Sequence, residues 1–329
     1  MFFSIIIPLY NRPGEIDELL ASLCEQTNRQ FEVIIVEDGS TVSSETVVEK
    51  YRDKLTITYI EKDNSGPGPS RNTGAGKAIH DYLIFFDSDC IIPPNYITHV
   101  SQFLTEKYTD AYGGPDAALP TFTTVQKAIN YSMTSFFTTG GIRGGKKSMG
   151  QFHPRSFNLG VSKKAFNDVG GFGNMRFGED IDFILRLLDN GFQTALIPDA
   201  YVWHKRRSTF KQFFKQVHNS GIARINLHLA HPGSLRAVHA LPALFVLGMS
   251  LIGLLSLFYP VLLFIPAAYS VMVFMDSLIK HKSVKVAFFS IGAAWTQLTG
   301  YGTGFLSATW KRLILKRAEF KAFEKKFYD

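Results

Sequence analysis

Leu241 to Met275 is a run of 35 residues with no Asp, Glu, Lys or Arg. A stretch of that length and character is membrane-embedded rather than the core helix of a soluble domain. As one straight helix it would extend about 52 Å at ~1.5 Å per residue, well beyond a single crossing of about 30 Å. Pro260 near its middle therefore predicts a tight helical hairpin over about residues 241–279. A second charge-free stretch, Val286 to Trp310, follows the basic island Lys280-His281-Lys282-Ser283-Val284-Lys285. The tail from Lys311 has seven Lys or Arg against three acids, and the positive-inside tendency wants island and tail on the cytoplasmic side. The hairpin satisfies the island, whereas a further span over about 286–310 would carry the tail outside. Gly300-Tyr301-Gly302-Thr303-Gly304 offers a break that returns the chain, and a re-entrant or interfacial segment is expected here rather than a third full crossing.

Composition separates the rest of the chain from this region. With 46% hydrophobic and 14% aromatic residues in 329, the protein is not disordered. Charged residues make up only 19% and the net charge is +7, which also sets it apart from a wholly soluble protein. Met1-Phe2-Phe3-Ser4 leads directly into Ile5-Ile6-Ile7 without a basic n-region or a cleavage site, so no signal peptide is expected and the first domain should stay cytoplasmic. Cys24 and Cys90 give neither a disulfide framework nor metal-ligand spacing and read as structural. The expected division is a catalytic domain over 1–207, an amphipathic interfacial helix region over 208–238, membrane segments over 239–310 and a basic cytoplasmic tail over 311–329.

In the first domain, apolar β-branched and aromatic runs (Phe3 to Ile7, Phe31 to Val36, Thr56 to Ile60, Tyr82 to Phe86) alternate with helical patterns. That alternation describes an α/β fold with a mostly parallel sheet buried on both faces. Ligands on such sheets bind beyond the carboxyl ends of the strands. Polar groups gather there: Tyr10-Asn11-Arg12, Glu37-Asp38-Gly39-Ser40 and Asp87-Ser88-Asp89. Farther on, the loop Gly140 to Gly150 has five glycines and three basic residues, Arg143, Lys146 and Lys147, and suits closure over an anionic ligand. Ser208 to Leu229 sets an aromatic face beside Lys211, Lys215, His218 and Arg224; a helix in the membrane interface and a helix packed on its own domain fit it equally.

Each chemical motif has a bland reading as well. Asp87 and Asp89, two apart on extended backbone, would point the same way and hold one divalent cation against a diphosphate; acids also flank ordinary turns. Asp38 after a buried strand can accept from a base or ribose, or can simply cap a turn. Arg71 lies in the first turns of a helix opened by Gly66-Pro67-Gly68-Pro69, where a cation and free N–H groups suit a diphosphate. Glu179, Asp180 and Asp182 begin another helix, a place the helix dipole alone favours for acids. The preceding Gly170-Gly171-Phe172-Gly173 reads as a flexible aromatic approach to a cleft, in which an aspartate can deprotonate a hydroxyl. His204, ending an extended run, is a candidate third metal ligand or a surface histidine in a basic turn.

Taken together, residues Phe3 to Arg207 resemble the family 2 glycosyltransferases, inverting enzymes of GT-A fold. The segments that carry the resemblance are Ile5 to Arg12 with Pro8, Val36 to Ser40, Gly68 to Asn72, Phe86 to Asp89 and Phe177 to Asp182. The resemblance implies a nucleotide-sugar donor, a UDP-sugar foremost, with Asp38 near the base, Arg71 near the diphosphate and Asp87 and Asp89 at the ribose and metal. It makes Asp180 the catalytic base. Candidate donor-binding residues are thus Pro8, Tyr10, Asn11, Arg12, Asp38, Arg71, Asp87 and Ser88; catalytic candidates are Asp180 and Glu179; metal candidates are Asp89, Asp87 and His204, for Mg²⁺ or Mn²⁺. Glu37 stands where the family usually has aspartate. The Gln-x-x-Arg-Trp signature of processive synthases is missing after His204, and Asp87 to Pro93 does not read like polyprenyl-phosphate sugar synthases.

The expected function is therefore a single sugar transfer to a hydroxyl of a lipid-linked saccharide or glycolipid, in cell-envelope polysaccharide or glycolipid synthesis. The catalytic domain would sit on the cytoplasmic side of the inner membrane, on a multi-pass anchor. A polyprenyl-phosphate acceptor is the alternative, and a non-catalytic membrane scaffold a more distant one. No nucleic-acid partner is expected; Gly292, Gly300 and Gly304 would permit close helix contact and self-association.

Overall fold

The computed structural model describes residues 1–119, 121–139 and 152–318 and divides into two compact units. In chain order the first unit opens with β1 (Phe3–Leu9), α1 (Pro13–Cys24), β2 (Phe31–Asp38), α2 (Glu45–Glu49), β3 (Ile57–Lys62), α3 (Pro67–Lys77), β4 (Tyr82–Phe86), β5 (Cys90–Ile91), α4 (Tyr96–Glu106), β6 (Ala111–Gly113) and β7 (Asp116–Ala117). Two helices of the second unit follow, α5 (Thr124–Thr134) and α6 (Phe136–Thr139). The chain then returns to the first unit with β8 (Asn158–Ser162), α7 (Lys163–Asp168), α8 (Glu179–Asp189), β9 (Thr194–Leu196) and β10 (Val202–His204).

Seven strands form the main sheet in the order β3-β2-β1-β4-β8-β6-β9. β1 to β4 are mutually parallel, β8 runs antiparallel to its neighbours β4 and β6, and β9 is parallel to β6. The mostly parallel sheet flanked by helices is the expected architecture. Its physical basis is visible in β1, where Ile5 and Ile7 enter a core with Leu19, Leu20 and Val100 while Ile6 enters another with Ala75, Phe166 and Phe183. Both faces of the strand are dry, so the run carries no polar alternation. Each fully buried Ile or Phe contributes about 1.5–3 kcal/mol over its exposed state. Ser4, the polar exception in β1, is satisfied: its hydroxyl donates to Glu32 at 2.6 Å.

A smaller sheet matters more to function. β10 pairs antiparallel with β5, His204 opposite Cys90, and parallel with β7. It fastens the last strand of the unit beside the turn that follows β4.

In the second unit α9 (Phe210–Ala230) is followed by α10 (Leu241–Leu255), α11 (Phe264–His281) and α12 (Val284–Ala308), with short 3₁₀ turns at Ala237–Ala240 and Pro260–Leu263 and a π turn at Thr309–Ile314. Two segments are long and apolar enough to cross a membrane by length and composition, Ala237–Leu255 with 19 residues and Pro260–His281 with 22. Pro260 opens the second segment, at the start of the 3₁₀ turn that joins α10 to α11. The glycines at Gly300, Gly302 and Gly304 do not break the following stretch as expected for a re-entrant segment: α12 is continuous. They serve close approach instead, since a Cβ on Gly304 would lie 2.0 Å from the His218 carbonyl oxygen and one on Gly302 would lie 2.3 Å from that of Pro242. α9 packs on α12 through Phe213, Val217 and Gly221, so it has a partner within its own unit. Arg143, Lys146, Lys147 and the end of the basic tail lie outside the described residues.

Candidate active site

Beyond the carboxyl end of β2, Asp38 is 1% exposed and its carboxylate is fully engaged. It accepts from the Ser65 and Gly66 amides at 2.9 and 2.7 Å and from Lys62 at 2.6 Å. In this arrangement Asp38 holds the loop that leads into α3. Gly39 must be glycine for the same reason: its φ is +69° and a Cβ would meet the Asn64 amide nitrogen at 2.6 Å. Glu37 accepts from the Ser44 amide at 2.9 Å and from the Tyr59 and Ser40 hydroxyls. Asn11, itself at φ 52°, accepts from the Thr41 and Val42 amides. Pro8 is the next-to-last residue of β1, opposite Val36 of β2, and Tyr10 just beyond the strand is half-buried. Several residues read as donor contacts thus first build the rim of the site.

Asp87-Ser88-Asp89 is a turn, closed by the Cys90 amide donating to the Asp87 carbonyl at 3.1 Å, and Ser88 is buried in it. Extended backbone was expected to aim both carboxylates one way; the turn gives them different partners. Asp87 accepts from Arg71 at 2.6 Å. Asp89 accepts from Arg12 at 3.2 Å and lies 3.1 Å from His204 Nε2. Among the described residues, the metal-capable cluster is Asp89, Cys90 and His204, with ligand atoms within 4.8 Å of one another, and Asp87 is not in it. The His204 ring stacks on Phe157 at 4.5 Å, which fixes its plane. Burial, reinforced by Asp89 and Asp87, pushes the Cys90 thiol well up and keeps it protonated, which leaves the Asp89 carboxylate and the His204 imidazole as the donors of the cluster.

Arg71 is the centre of the second cluster. It is 3% exposed, bonds Asp87 and also Glu179 at 3.2 Å, and lies 5.2 Å over the Phe172 ring. Burial opposes its charge, but Asp87 and Glu179 more than compensate. Phe172 is no mobile approach to a cleft: it is 3% exposed and stacked on Phe183. Burial, with repulsion from Asp180 and against the pull of Arg71, raises the Glu179 carboxyl to about 7. Asp180 beside it pairs with Arg155 at 3.2 Å, and Asp182 with Arg186 at 2.8 Å. The three acids of this first turn therefore meet three different cations. Arg155 was not singled out from sequence, because a lone arginine beside the loop carries no motif. Phe157 carried no signal either, its ring being brought to His204 only by the pairing of strands.

The sequence profile described as "Glycosyl transferase family 2" matches residues 4–168. A poly(ribitol-phosphate) beta-N-acetylglucosaminyltransferase, TarS of Staphylococcus aureus, is 38% identical over 114 residues, 33% of this chain and 20% of that enzyme. An uncharacterized glycosyltransferase of Haemophilus influenzae is 34% identical over 191 residues, 56% of this chain and 61% of that protein. Among solved structures, a mannosyltransferase of Pyrobaculum calidifontis in complex with GDP-Man and Mn²⁺ superposes with a TM-score of 0.57 at 17% identity, covering 96% of this chain and 88% of that one. Residues 1–349 of S. aureus TarS give 0.51 at 20%, covering 97% and 93%. At such identity the likeness is one of fold. With the family profile over half of its length and the same sheet carrying the acidic clusters, this chain belongs to glycosyl transferase family 2.

Proposed function

We propose that the protein is an inverting, membrane-bound glycosyltransferase that moves a sugar from a UDP-sugar to a hydroxyl of a lipid-linked saccharide or glycolipid. The observation that carries this reading is the pairing at the start of α8: adjacent carboxylates, Glu179 on Arg71 and Asp180 on Arg155, beside the acidic turn after β4. Arg71, buried and already balanced by Asp87 and Glu179, is a fixed cation for the donor's diphosphate. Asp180 takes the proton of the acceptor hydroxyl as that oxygen attacks the anomeric carbon; Arg155 orients the carboxylate. Such general-base help is typically worth about 10²–10⁴ in rate. Asp89 in the turn before β5 and His204 on β10, an oxygen and a nitrogen donor, fit a divalent cation, Mg²⁺ or Mn²⁺. Bound there, the ion supplies neutralisation of the charge on the departing diphosphate. TarS has been solved with UDP and with UDP-GlcNAc on the same fold, which supports a UDP donor. The two apolar segments support a membrane anchor with both ends on the cytoplasmic side, and an anchored enzyme meets a lipid acceptor in two dimensions.

The test is nucleoside diphosphate release by the full chain in lipid nanodiscs from a panel of UDP-, GDP- and dTDP-sugars, with a membrane lipid extract as acceptor. Lipid-dependent release from one donor is expected, lowered ~10²–10⁴-fold by Asp180→Asn with donor binding retained, and lost with Asp89→Ala. A folded protein that neither binds a nucleotide nor releases a diphosphate overturns the reading.

A further inference from the structure

The described residues of the second unit carry fourteen Lys or Arg and one acid, Asp276. Asp276 is already paired with Lys280 at 2.8 Å. This excess of positive charge has a distinct placement relative to the apolar hairpin. Arg236 immediately precedes the first apolar segment, and Lys280 and Lys282 stand at the end of the second. The sequence from Leu241 to Met275 holds no Asp, Glu, Lys or Arg, and at the turn at its other end Leu257, Phe258 and Phe264 are 75%, 75% and 74% exposed.

The path of α12 decides where the remaining positive charges stand. A third crossing antiparallel to α11 would meet it along its whole length. The first half of α12 does run antiparallel to α11, Ser290 bonding Ser277 at 2.8 Å and Trp295 reaching Ser270 at 3.1 Å, but there the Trp295 ring already meets Phe245, near the start of α10. From there the contacts run back toward the start of α10: Gly302 lies against Pro242, and Phe305 and Ala308 share an apolar cluster with Ala243. α12 therefore bridges the two feet of the hairpin. Lys285 at its start stands by the foot of α11, and Lys311 just beyond its end by the foot of α10, both exposed.

Resting on the membrane reading above, we propose that the second unit is a docking module for an anionic phospholipid bilayer. The α10–α11 hairpin enters from one side, α12 lies along the surface rather than crossing, and Arg236, Lys282, Lys285 and Lys311 form a ring of cations at the headgroup level. The charge complementarity selects acidic phospholipid, since the apolar hairpin by itself does not distinguish headgroups. The lengths agree: 19 and 22 residues give about 28 and 33 Å, close to the hydrocarbon thickness.

The probe is flotation of the full chain, delivered from detergent, with phosphatidylcholine vesicles and with vesicles containing about one third phosphatidylglycerol. Expected are binding to both and a strong, salt-sensitive preference for the acidic ones. Changing Arg236, Lys282, Lys285 and Lys311 together to Gln should remove most of that preference, roughly a hundredfold or more in partitioning. None of the four belongs to the active site, so sugar-nucleotide turnover in detergent reports that the variant folds. In sealed vesicles, Lys282→Cys and Lys311→Cys, each with Cys24→Ser and Cys90→Ser, should react with an impermeant maleimide from the same side. Equal binding to neutral and acidic vesicles, or labelling of the two cysteines from opposite sides, overturns the proposal and leaves the membrane anchor standing. Flotation with neither vesicle removes the anchor itself, and this proposal with it.

Discussion

At the scale of single residues, Glu179 is the group whose environment has the clearest consequence. Its carboxyl is raised to about 7, first by burial and then by Asp180, despite Arg71. A carboxyl raised in the folded state binds its proton more tightly there than in the unfolded chain. Its contribution to stability is therefore complete below the ordinary glutamate range and is lost as pH rises from about 4.5 through 7. The fall in thermal midpoint over that window should flatten in Glu179→Gln, which mimics the protonated form. In the same variant, the pH dependence of donor binding should lose its inflection near 7, because ionising Glu179 partly cancels the Arg71 charge offered to the diphosphate. An inflection that persists unchanged would show that another group is responsible.

Among elements, the parallel strands and the order of the acidic motifs were legible in sequence, since runs such as Phe31 to Val36 record burial on both faces and their ends record the rim. The division of labour within Asp87-Ser88-Asp89 was not, because it depends on a turn and on Arg71, Arg12 and His204 arriving from distant parts of the chain. The placement of His204 beside Asp89 depends likewise on the register of β10 against β5, which no local pattern encodes. The glycines of α12 are ambiguous in sequence for a related reason: glycine spacing reads equally as a break or as a close helix contact, and α12 is continuous. Here the contact is tight, and Gly304→Ala would push a methyl to 2.0 Å from the His218 carbonyl oxygen of α9. Overpacking of this kind costs about 1–3 kcal/mol. The expected result is a lowered melting midpoint for the helical unit, with circular dichroism retaining its helix content; an unchanged midpoint would mean that α9 and α12 separate without cost.

For the whole molecule, two compact units with separate cores should not melt as one. Calorimetry of the full chain in detergent should resolve two transitions, and a saturating UDP-sugar should raise one of them only, by about 2.7 kcal/mol of stabilisation at a hundredfold excess over its Kd. A single transition raised as a whole would show that the units are energetically fused. The second unit is also discontinuous along the chain: α5 supplies Ala128, Ile129 and Met133 to a cluster completed by Phe213 of α9 and Ala293 of α12. During synthesis α5 is thus made about 150 residues before α12 begins. At ~5–20 residues per second its apolar face waits on the order of 10–30 s for that partner. A chain cut after Lys205 would keep α5 while losing the residues of α9, α11 and α12 that pack on it. The helices after residue 205 act in this sense as an intramolecular chaperone for an early part of their own polypeptide, and a soluble enzyme cannot be obtained simply by trimming the carboxyl terminus.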